Sequence, residues 1–368
     1  MAKRIGAPAT VLFLLCLMYF ITYVDRVNIG TAAPLIKKEF GLSNTELGLA
    51  FSAFAYPYAL FQVIGGLLGD KFGARRMLFA CGLIWAAATI LTGLVGGLFT
   101  LFLARLLLGF GEGATFPVAT RAMQNWTPAD KRGFAQGITH SFARLGNAVT
   151  PPAVAFLIAL TSWRGAFVVL GSVSVIWVIA WVLYFRDNPK DHRAVTADDL
   201  ERLPAYGGVG DGAKRKIPWK RLILRMLPVS ITYFCYAWML WLLLNWLPSF
   251  FKEGYQLDLK NSAFFASGVF FAGVVGDTTG GVISDWILRR TGNVTLARLS
   301  IINIGFLGAA GCLLGVVLGP KDATTIALFL SGGFFFLELV IGPIWSIPMD
   351  VAPEFAGTAS GLMNTGSA

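Results

Sequence analysis

Four charged residues, Asp25, Arg26, Arg105 and Glu112, lie within long apolar stretches of the sequence. A charged side chain near the centre of a lipid bilayer costs about 2.5–3.5 kcal/mol, so each of them needs a reason to be there. Arg105 and Glu112 are seven positions apart, which places both side chains on one face of a helix. Asp25 and Arg26 are adjacent and can serve two different neighbours. The alternative for Asp25 and Arg26 is a structural ion pair or a position at the membrane interface.

Glu112 is the strongest candidate for proton chemistry. It falls near the middle of its apolar stretch among the small residues Gly109, Gly111, Gly113 and Ala114. Small residues let a neighbouring helix or a solute approach closely. A carboxyl group in such a place can take up and release a proton. We therefore predict that Glu112 is a proton carrier, with a structural role as the alternative.

Further polar residues interrupt other apolar stretches. His140 and Arg144 are four positions apart and share a helix face. They form either a second anion site or partners for the carboxylates described above. Asp277 and Glu338 are either partners of Arg144 or acceptors within their own part of the chain. The sequence leaves both alternatives open.

A Gly-x-x-x-Asp motif occurs twice, as GLLGD ending at Asp70 and as GVISD ending at Asp285. Basic residues follow each copy: Lys71, Arg75, Arg76, Arg289 and Arg290. Each motif joins two apolar stretches, which predicts a duplicated bundle of membrane helices of the kind that moves a solute between its halves. We predict that Asp70 and Asp285, paired with Arg75, Arg76 and Arg289, are gate elements that lock the halves in an outward-open state.

The elements that position these residues are apolar stretches long enough to cross a bilayer. In the 368-residue chain, 56% of residues are hydrophobic and only 14% are charged. Ten such stretches are predicted, at about 10–32, 45–69, 77–97, 99–124, 134–160, 163–185, 223–250, 261–288, 296–318 and 323–349. An eleventh begins near Ala356. The prediction is an all-α integral membrane protein of two six-helix bundles, with the chain truncated within helix eleven.

Lysine and arginine concentrate in alternate loops, which predicts a cytoplasmic N-terminus. Residues 1–185 form the first half, 186–221 a cytoplasmic linker with a flexible glycine-rich run, and 222–368 the second half. The formal net charge of +10 and the basic run of the linker suit an inside-positive loop better than a nucleic-acid patch. The four cysteines have no metal or disulfide spacing, so we expect no metal and no cofactor.

The motifs resemble those of the major facilitator superfamily. A narrower similarity, to its anion:cation symporter branch, comes from short segments in several stretches: YVDRVN at 23–28, RLLLGFGEG at 105–113, NWLP at 245–248, GPIW at 342–345 and GLMN at 361–364. That branch includes proton-coupled transporters of sugar acids and aromatic acids. The resemblance implies the superfamily fold and a membrane transporter.

Site residues follow from the resemblance. It implies that Arg26 and Arg105 bind the substrate carboxylate, a role to which the planar guanidinium is suited. The positions implied for protonation are Asp25 and Glu112. Those implied to line the substrate cavity are Tyr58, Gln62, Trp345 and Asn364. Trp241 and Asn245 are four positions apart and are weaker candidates, because aromatic residues are common at membrane interfaces.

The leading prediction is a secondary transporter that carries a small organic carboxylate, such as a sugar acid, inward with protons. We expect a monomer in the bacterial inner membrane, in contact with lipid, and no partner nucleic acid. One alternative is a drug antiporter of the same fold. Such antiporters tend to have a Gly-Pro-rich motif in the fifth span, and the segment that begins at Leu145 lacks its usual pattern. A second alternative is a membrane solute sensor. A membrane enzyme is a third alternative, but the sequence shows no nucleophile motif or metal cluster.

Overall fold

The computed structural model describes residues 6–206, 216–256, 259–320 and 322–367, and within them the chain is helical with no β-strand. In chain order the α-helices are α1 (Ala7–Phe40), α2 (Asn44–Ser52), α3 (Ala55–Phe72), α4 (Ala74–Thr92), α5 (Leu98–Gly113), α6 (Thr115–Trp126), α7 (Arg132–Leu160), α8 (Trp163–Tyr184), α9 (Ala197–Arg202), α10 (Trp219–Gly254), α11 (Leu259–Thr291), α12 (Val294–Leu318), α13 (Ala323–Glu338), α14 (Ile341–Val351) and α15 (Ala356–Thr365). Within these described residues, ten candidate spans, formed by single helices or by successive ones, are long and apolar enough to cross a membrane. The predicted all-α membrane fold is confirmed.

Three predicted spans are each divided into two helices, and a proline explains each division. Pro57, Pro117 and Pro343 are the third residues of α3, α6 and α14. Proline has no backbone N–H, and its ring collides with the carbonyl group four residues earlier, so the helix breaks just before it. Pro151 and Pro152, by contrast, lie inside the continuous helix α7. The three divided spans contribute Tyr58, Glu112 and Trp345 to the centre of the molecule.

The surface is apolar where a soluble protein would be polar. Leu60, Phe99, Leu307 and Leu318 are all more than 70% exposed. Such side chains can pack against lipid tails. The backbone polar groups within a span, by contrast, must be hydrogen-bonded inside the helix. The largest buried side chains include Trp85, Trp181 and Trp345, so aromatic rings fill much of the interior.

Two helix pairs form the main contact between the parts of the chain before and after residues 186–221: α7 packs on α11, and α3 packs on α15. The glycines of the repeated motif make both contacts possible. A Cβ atom at Gly66 would overlap the carbonyl oxygen of Gly357, and one at Gly281 would overlap that of Gly133. Each motif glycine therefore allows two helix backbones to touch.

The segment after α8 is anchored to the helices before it. Trp126 donates its indole N–H to the carbonyl oxygen of Arg186 at 2.8 Å. Asp187 accepts the backbone N–H of Arg75 at 3.1 Å, in the first turn of α4. Residues 207–215, which include all four glycines of the predicted flexible run, lie outside the described residues.

Candidate functional site

A buried ion pair joins α1 to α5 at the centre of the molecule. The Nε atom of Arg26 donates a hydrogen bond to Oε2 of Glu112 at 2.6 Å, and Glu112 is fully buried. Oε1 of Glu112 has no hydrogen-bond partner among the described residues. The guanidinium carbon of Arg26 lies within 5.3 Å of four aromatic ring centres: Tyr23, Phe54, Tyr58 and Phe116. Aromatic faces stabilise a cation while leaving its outer N–H groups available.

Arg105 is a second buried cation near this pair. It is 4% exposed, and no carboxylate of the described chain lies within 4 Å of its guanidinium group. Its guanidinium carbon is 5.3 Å from the Phe54 ring centre. Asp25 is buried on α1, where it accepts a hydrogen bond from Ser174 Oγ at 3.1 Å. A buried arginine without a carboxylate partner can bind an anion.

Three of the predicted cavity residues meet across the contact between α3 and α15. The side-chain N–H of Asn364 donates to Gln62 Oε1 at 2.8 Å and to the hydroxyl oxygen of Tyr58 at 3.4 Å. The Nε2 atom of Gln62 is buried without an acceptor in the described part of the chain. Gln62 follows Tyr58 by four residues, so its amide group lies on the side of α3 where the Tyr58 ring faces Arg26.

Trp345 and His140 form an aromatic wall beside the ion pair. The Trp345 ring centre is 5.1 Å from that of His140, and it packs edge-on against Phe116 and Tyr233. The Nδ1 atom of His140 lies 2.8 Å from the carbonyl oxygen of Gln136, so the ring is tied to its own helix. His140 is not bonded to Asp25 or to Glu112.

Arg144 reaches from α7 into a second charged cluster. Its Nη2 atom donates to Glu338 Oε2 at 3.2 Å and to the hydroxyl oxygen of Tyr236 at 2.8 Å. Its Nε atom lies 3.2 Å from Glu338 Oε1 and 3.9 Å from Asp277 Oδ2. Of the two alternatives left open by the sequence, Asp277 and Glu338 are partners of Arg144. The side chain of Asn245, the weaker candidate, lies outside the described residues.

The two motif aspartates each hold the start of a helix from the other part of the chain. Asp70 accepts the backbone N–H groups of Gly357 and Thr358 at 3.1 and 2.7 Å, at the start of α15. Asp285 accepts those of Gly133 and Phe134 at 3.0 and 2.7 Å, at the start of α7. A carboxylate is favoured there because helix N-termini carry unpaired N–H groups and a partial positive charge.

The arginines that pair with these aspartates were not among the predicted gate residues. Arg298 Nη1 lies 2.7 Å from Asp285 Oδ1, and Arg121 Nε lies 3.7 Å from Asp70 Oδ1. Asp350 extends the first pair, since it binds both Arg298 and Arg132 at 3.0 and 2.8 Å. The sequence signal for these arginines is their position at the ends of the predicted apolar stretches, where a charge is costly.

The predicted gate arginines bind elsewhere. Arg75 donates through Nη2 to the carbonyl oxygen of Val182 at 2.6 Å. Arg289 donates to the carbonyl oxygen of Asp130 at 3.0 Å, and Arg76 is exposed. Arg75 and Arg76 lie on the next helix, α4, and Arg289 lies in the last turn of α11. The Asp70 and Asp285 side chains instead bind the N-termini of α15 and α7.

Comparisons with known proteins agree with this architecture. The model of the Major Facilitator Superfamily matches residues 15–368, so the chain belongs to that superfamily and is a multi-pass membrane transporter, not an enzyme. The chain is 50% identical over 369 residues to the probable sulfoacetate transporter SauU of Cupriavidus necator, covering 100% of this chain and 85% of that protein. It is 28% identical over 368 residues to the hexuronate transporter of Bacillus subtilis, covering 96% and 83%.

A similarity to a solved structure shows the fold alone. The transporter FucP in the outward conformation superposes with a TM-score of 0.72 at 14% identity, covering 98% of this chain and 89% of that chain. The superfamily expected from the motifs is confirmed by the family match over residues 15–368.

Proposed function

We propose that this chain carries a small organic anion inward together with protons, by alternating access. The substrate class is a carboxylate such as a sugar acid, or a sulfonated carboxylate such as sulfoacetate. The names of the two relatives above support this class. The single observation that carries the proposal is the buried guanidinium of Arg105, which has no carboxylate of the described chain within 4 Å and stands next to the Arg26–Glu112 pair.

The anion would be bound by Arg26 and Arg105 through paired N–H groups, which match the geometry of a carboxylate or sulfonate. Tyr58, Gln62 and Asn364 offer hydroxyl and amide groups to the polar part of the substrate. The buried ring of Trp345 would form an apolar wall against its carbon skeleton. Because Asn364 comes from α15 and the other two from α3, substrate would contact both parts of the chain.

Proton coupling follows from competition for one guanidinium group. In the structure, Glu112 occupies the Nε donor of Arg26. Protonation of Glu112 removes the charge that holds this pair together, and the substrate anion can then replace the carboxylate on Arg26. Proton and anion would thus bind together and leave together. Asp25, held by Ser174, is the second proposed protonation site.

Alternating access requires the two halves, proposed as residues 1–185 and 222–368 around the linker 186–221, to rock about the central site. Asp70 and Asp285 join them at one end of the molecule, which we assign to the cytoplasmic side on the basis of the basic loops. With both contacts formed, that end is closed and the carrier faces outward. The protein would work as a monomer in the bacterial inner membrane, with its N-terminus in the cytoplasm.

Uptake by proteoliposomes tests the proposal. Purified protein would be reconstituted, and radiolabelled sulfoacetate, hexuronates and aromatic acids would be offered with and without an inward proton gradient. Accumulation above the outside concentration that collapses with a protonophore is the expected result. Equilibration that ignores the proton gradient would contradict the coupling, and absence of uptake of every anion would contradict the substrate class.

A further inference from the structure

The cluster around Arg144 contains more acid than base. Asp277 and Glu338 are both 0% exposed, and Arg144 is the one cation within 4 Å of either carboxylate in the described structure. With both carboxylates ionised, the cluster would carry a net negative charge deep in the membrane-spanning region. A bilayer strongly disfavours such an uncompensated charge, and two neighbouring carboxylates that share a site do not both ionise readily.

The hydrogen bonds favour Glu338 as the charged carboxylate. Glu338 receives hydrogen bonds from Arg144 at 3.2 Å and from the Tyr236 hydroxyl group at 2.8 Å. Neither oxygen of Asp277 receives a hydrogen bond from the described residues, and its nearest guanidinium atom is 3.9 Å away. An ionised carboxylate needs several donors when it is buried, whereas a protonated one needs fewer.

Helix packing keeps Asp277 in this environment. Gly273 and Gly276 precede it on α11, where a Cβ atom on Gly276 would overlap the carbonyl oxygen of Phe335 in α13. A Cβ on Gly137 of α7 would likewise overlap the carbonyl oxygen of Asp277. The glycines thus bring α7 and α13 against α11 from two sides, so that Arg144 and Glu338 face Asp277.

The charged and titratable groups facing Asp277 come from three other helices. They are Arg144 on α7, Glu338 on α13 and Tyr236 on α10. The helices α12 and α14 also pack on α11, but their charged groups lie elsewhere. Arg298 of α12 binds Asp285, about two turns further along α11, and Asp350 of α14 binds Arg298.

The cluster is linked to the substrate site through one side chain. Arg144 donates to the hydroxyl group of Tyr23 at 3.4 Å, and the ring of Tyr23 lies 5.0 Å from the guanidinium carbon of Arg26. Arg144 also spans the contact between α7 and the helices after residue 221. Movement of α7 away from α11 would therefore pull Arg144 from both acids and expose them to water.

We propose that Asp277 and Glu338 form a second proton-binding site, separate from Asp25 and Glu112, which holds one proton on Asp277 when Arg144 is bound to Glu338. Separation of α7 from α11 lets Asp277 release that proton to water on the cytoplasmic side and take up another after the return. This inference rests on the proposed proton-coupled transport for its role in the cycle, but the proton itself can be detected without substrate.

Infrared spectroscopy of the reconstituted protein tests the site directly. A protonated carboxylic acid has a C=O stretching band that a carboxylate lacks. The expected result is that Asp277→Asn removes one such band at neutral pH, whereas Asp322→Asn, at an exposed residue, removes none. Glu338→Gln is expected to remove the same band although Asp277 is still present, because Asp277 then becomes the only counter-ion of Arg144. If Asp277→Asn does not fold, Glu338→Gln makes the test alone.

The number of protons per substrate tests the role in transport. Reversal-potential measurements on proteoliposomes should show one proton fewer per anion for Asp277→Asn than for the wild type, with substrate exchange retained. An unchanged infrared band in both variants would overturn the proton site. An unchanged proton number with the band lost would overturn its role in coupling. A wild type with no proton-driven uptake would instead contradict the proposed function and leave the infrared result standing.

Discussion

The Nε atom of Arg26 lies 2.6 Å from Oε2 of Glu112, although the two residues are 86 positions apart in the sequence and belong to different helices. The pair is largely shielded from water, since the side chain of Arg26 is 10% exposed and that of Glu112 is fully buried. A buried pair of this kind contributes little net stability compared with apolar packing, so its presence favours a functional role.

Replacement of Glu112 by glutamine should abolish proton-driven accumulation while substrate exchange continues. Glutamine keeps the shape and one hydrogen-bond acceptor for Arg26 but cannot carry the proton. Accumulation in proteoliposomes should fall to simple equilibration, and counterflow should remain within about threefold of the wild type. Glu39→Gln, in the exposed pair with Arg164, is the matched control and should leave both activities unchanged. Equal loss of accumulation and exchange would remove Glu112 from proton coupling.

Replacement of Arg105 by alanine should weaken anion binding. A hydrogen bond to a charged group contributes about 1.5–3 kcal/mol, so the Kd should rise about ten- to hundredfold. Binding can be followed by scintillation proximity or calorimetry with the best substrate from the uptake panel. Arg164→Ala is the control because its ion pair is partly exposed and lies away from the site. An Arg105→Ala protein with wild-type affinity would contradict the carboxylate clamp.

Alanine at either motif glycine should open the end of the molecule that Asp70 and Asp285 close. The added methyl group of Gly66→Ala or Gly281→Ala would overlap a backbone carbonyl oxygen of the facing helix, which cannot move aside without separating the two helices. Spin labels at the exposed positions Arg76 and Arg290 should show longer distances by pulsed electron resonance.

Gly311→Ala is the matched control for the motif glycines. No atom lies within 4 Å of a Cβ built at Gly311, so the substitution adds a methyl group to a membrane helix without a clash. Its distance distribution should match that of the wild type. The same distribution for Gly281→Ala would show that the α7–α11 contact does not control the closed end.

Asp187 should make the stability of the protein depend on pH. Burial raises the pKa of this carboxyl group, which lies outside the membrane-spanning helices, even though the backbone N–H of Arg75 lowers it in part. A raised pKa in the folded state means that the protonated acid is favoured there. The contribution to stability is then full below the ordinary pKa of aspartate and is lost as the pH rises through the folded value.

Asp187→Asn should therefore flatten the change in melting temperature between about pH 4 and pH 7, while keeping an oxygen acceptor for Arg75. Scanning fluorimetry of the detergent-solubilised protein measures this difference. Asp191→Asn, at an exposed residue close by, serves as the control. A variant with the same pH profile as the wild type would show that Asp187 does not titrate in this range.

The sequence by itself determined the helices, the membrane fold and the family. Apolar stretches of about 20 residues can satisfy their backbone groups in a bilayer only as helices, so their positions follow from composition alone. The intramembrane charges could also be found, because each is rare and costly at that depth. Asp25, Arg26, Arg105 and Glu112 were identified in this way.

Only the tertiary structure decided which charges meet. The sequence left open whether Arg144 belongs to an anion site or pairs with a carboxylate in either part of the chain. The packing of α7 places it beside both Glu338 and Asp277. The same holds for Asp70, whose basic neighbours in sequence point away while Arg121 comes close to it. Helical periodicity places a residue on a face, but the partner of that face depends on how closely two backbones approach. In this protein the glycines at 66 and 281 set that approach, and their effect is visible only when the facing carbonyl groups are in place.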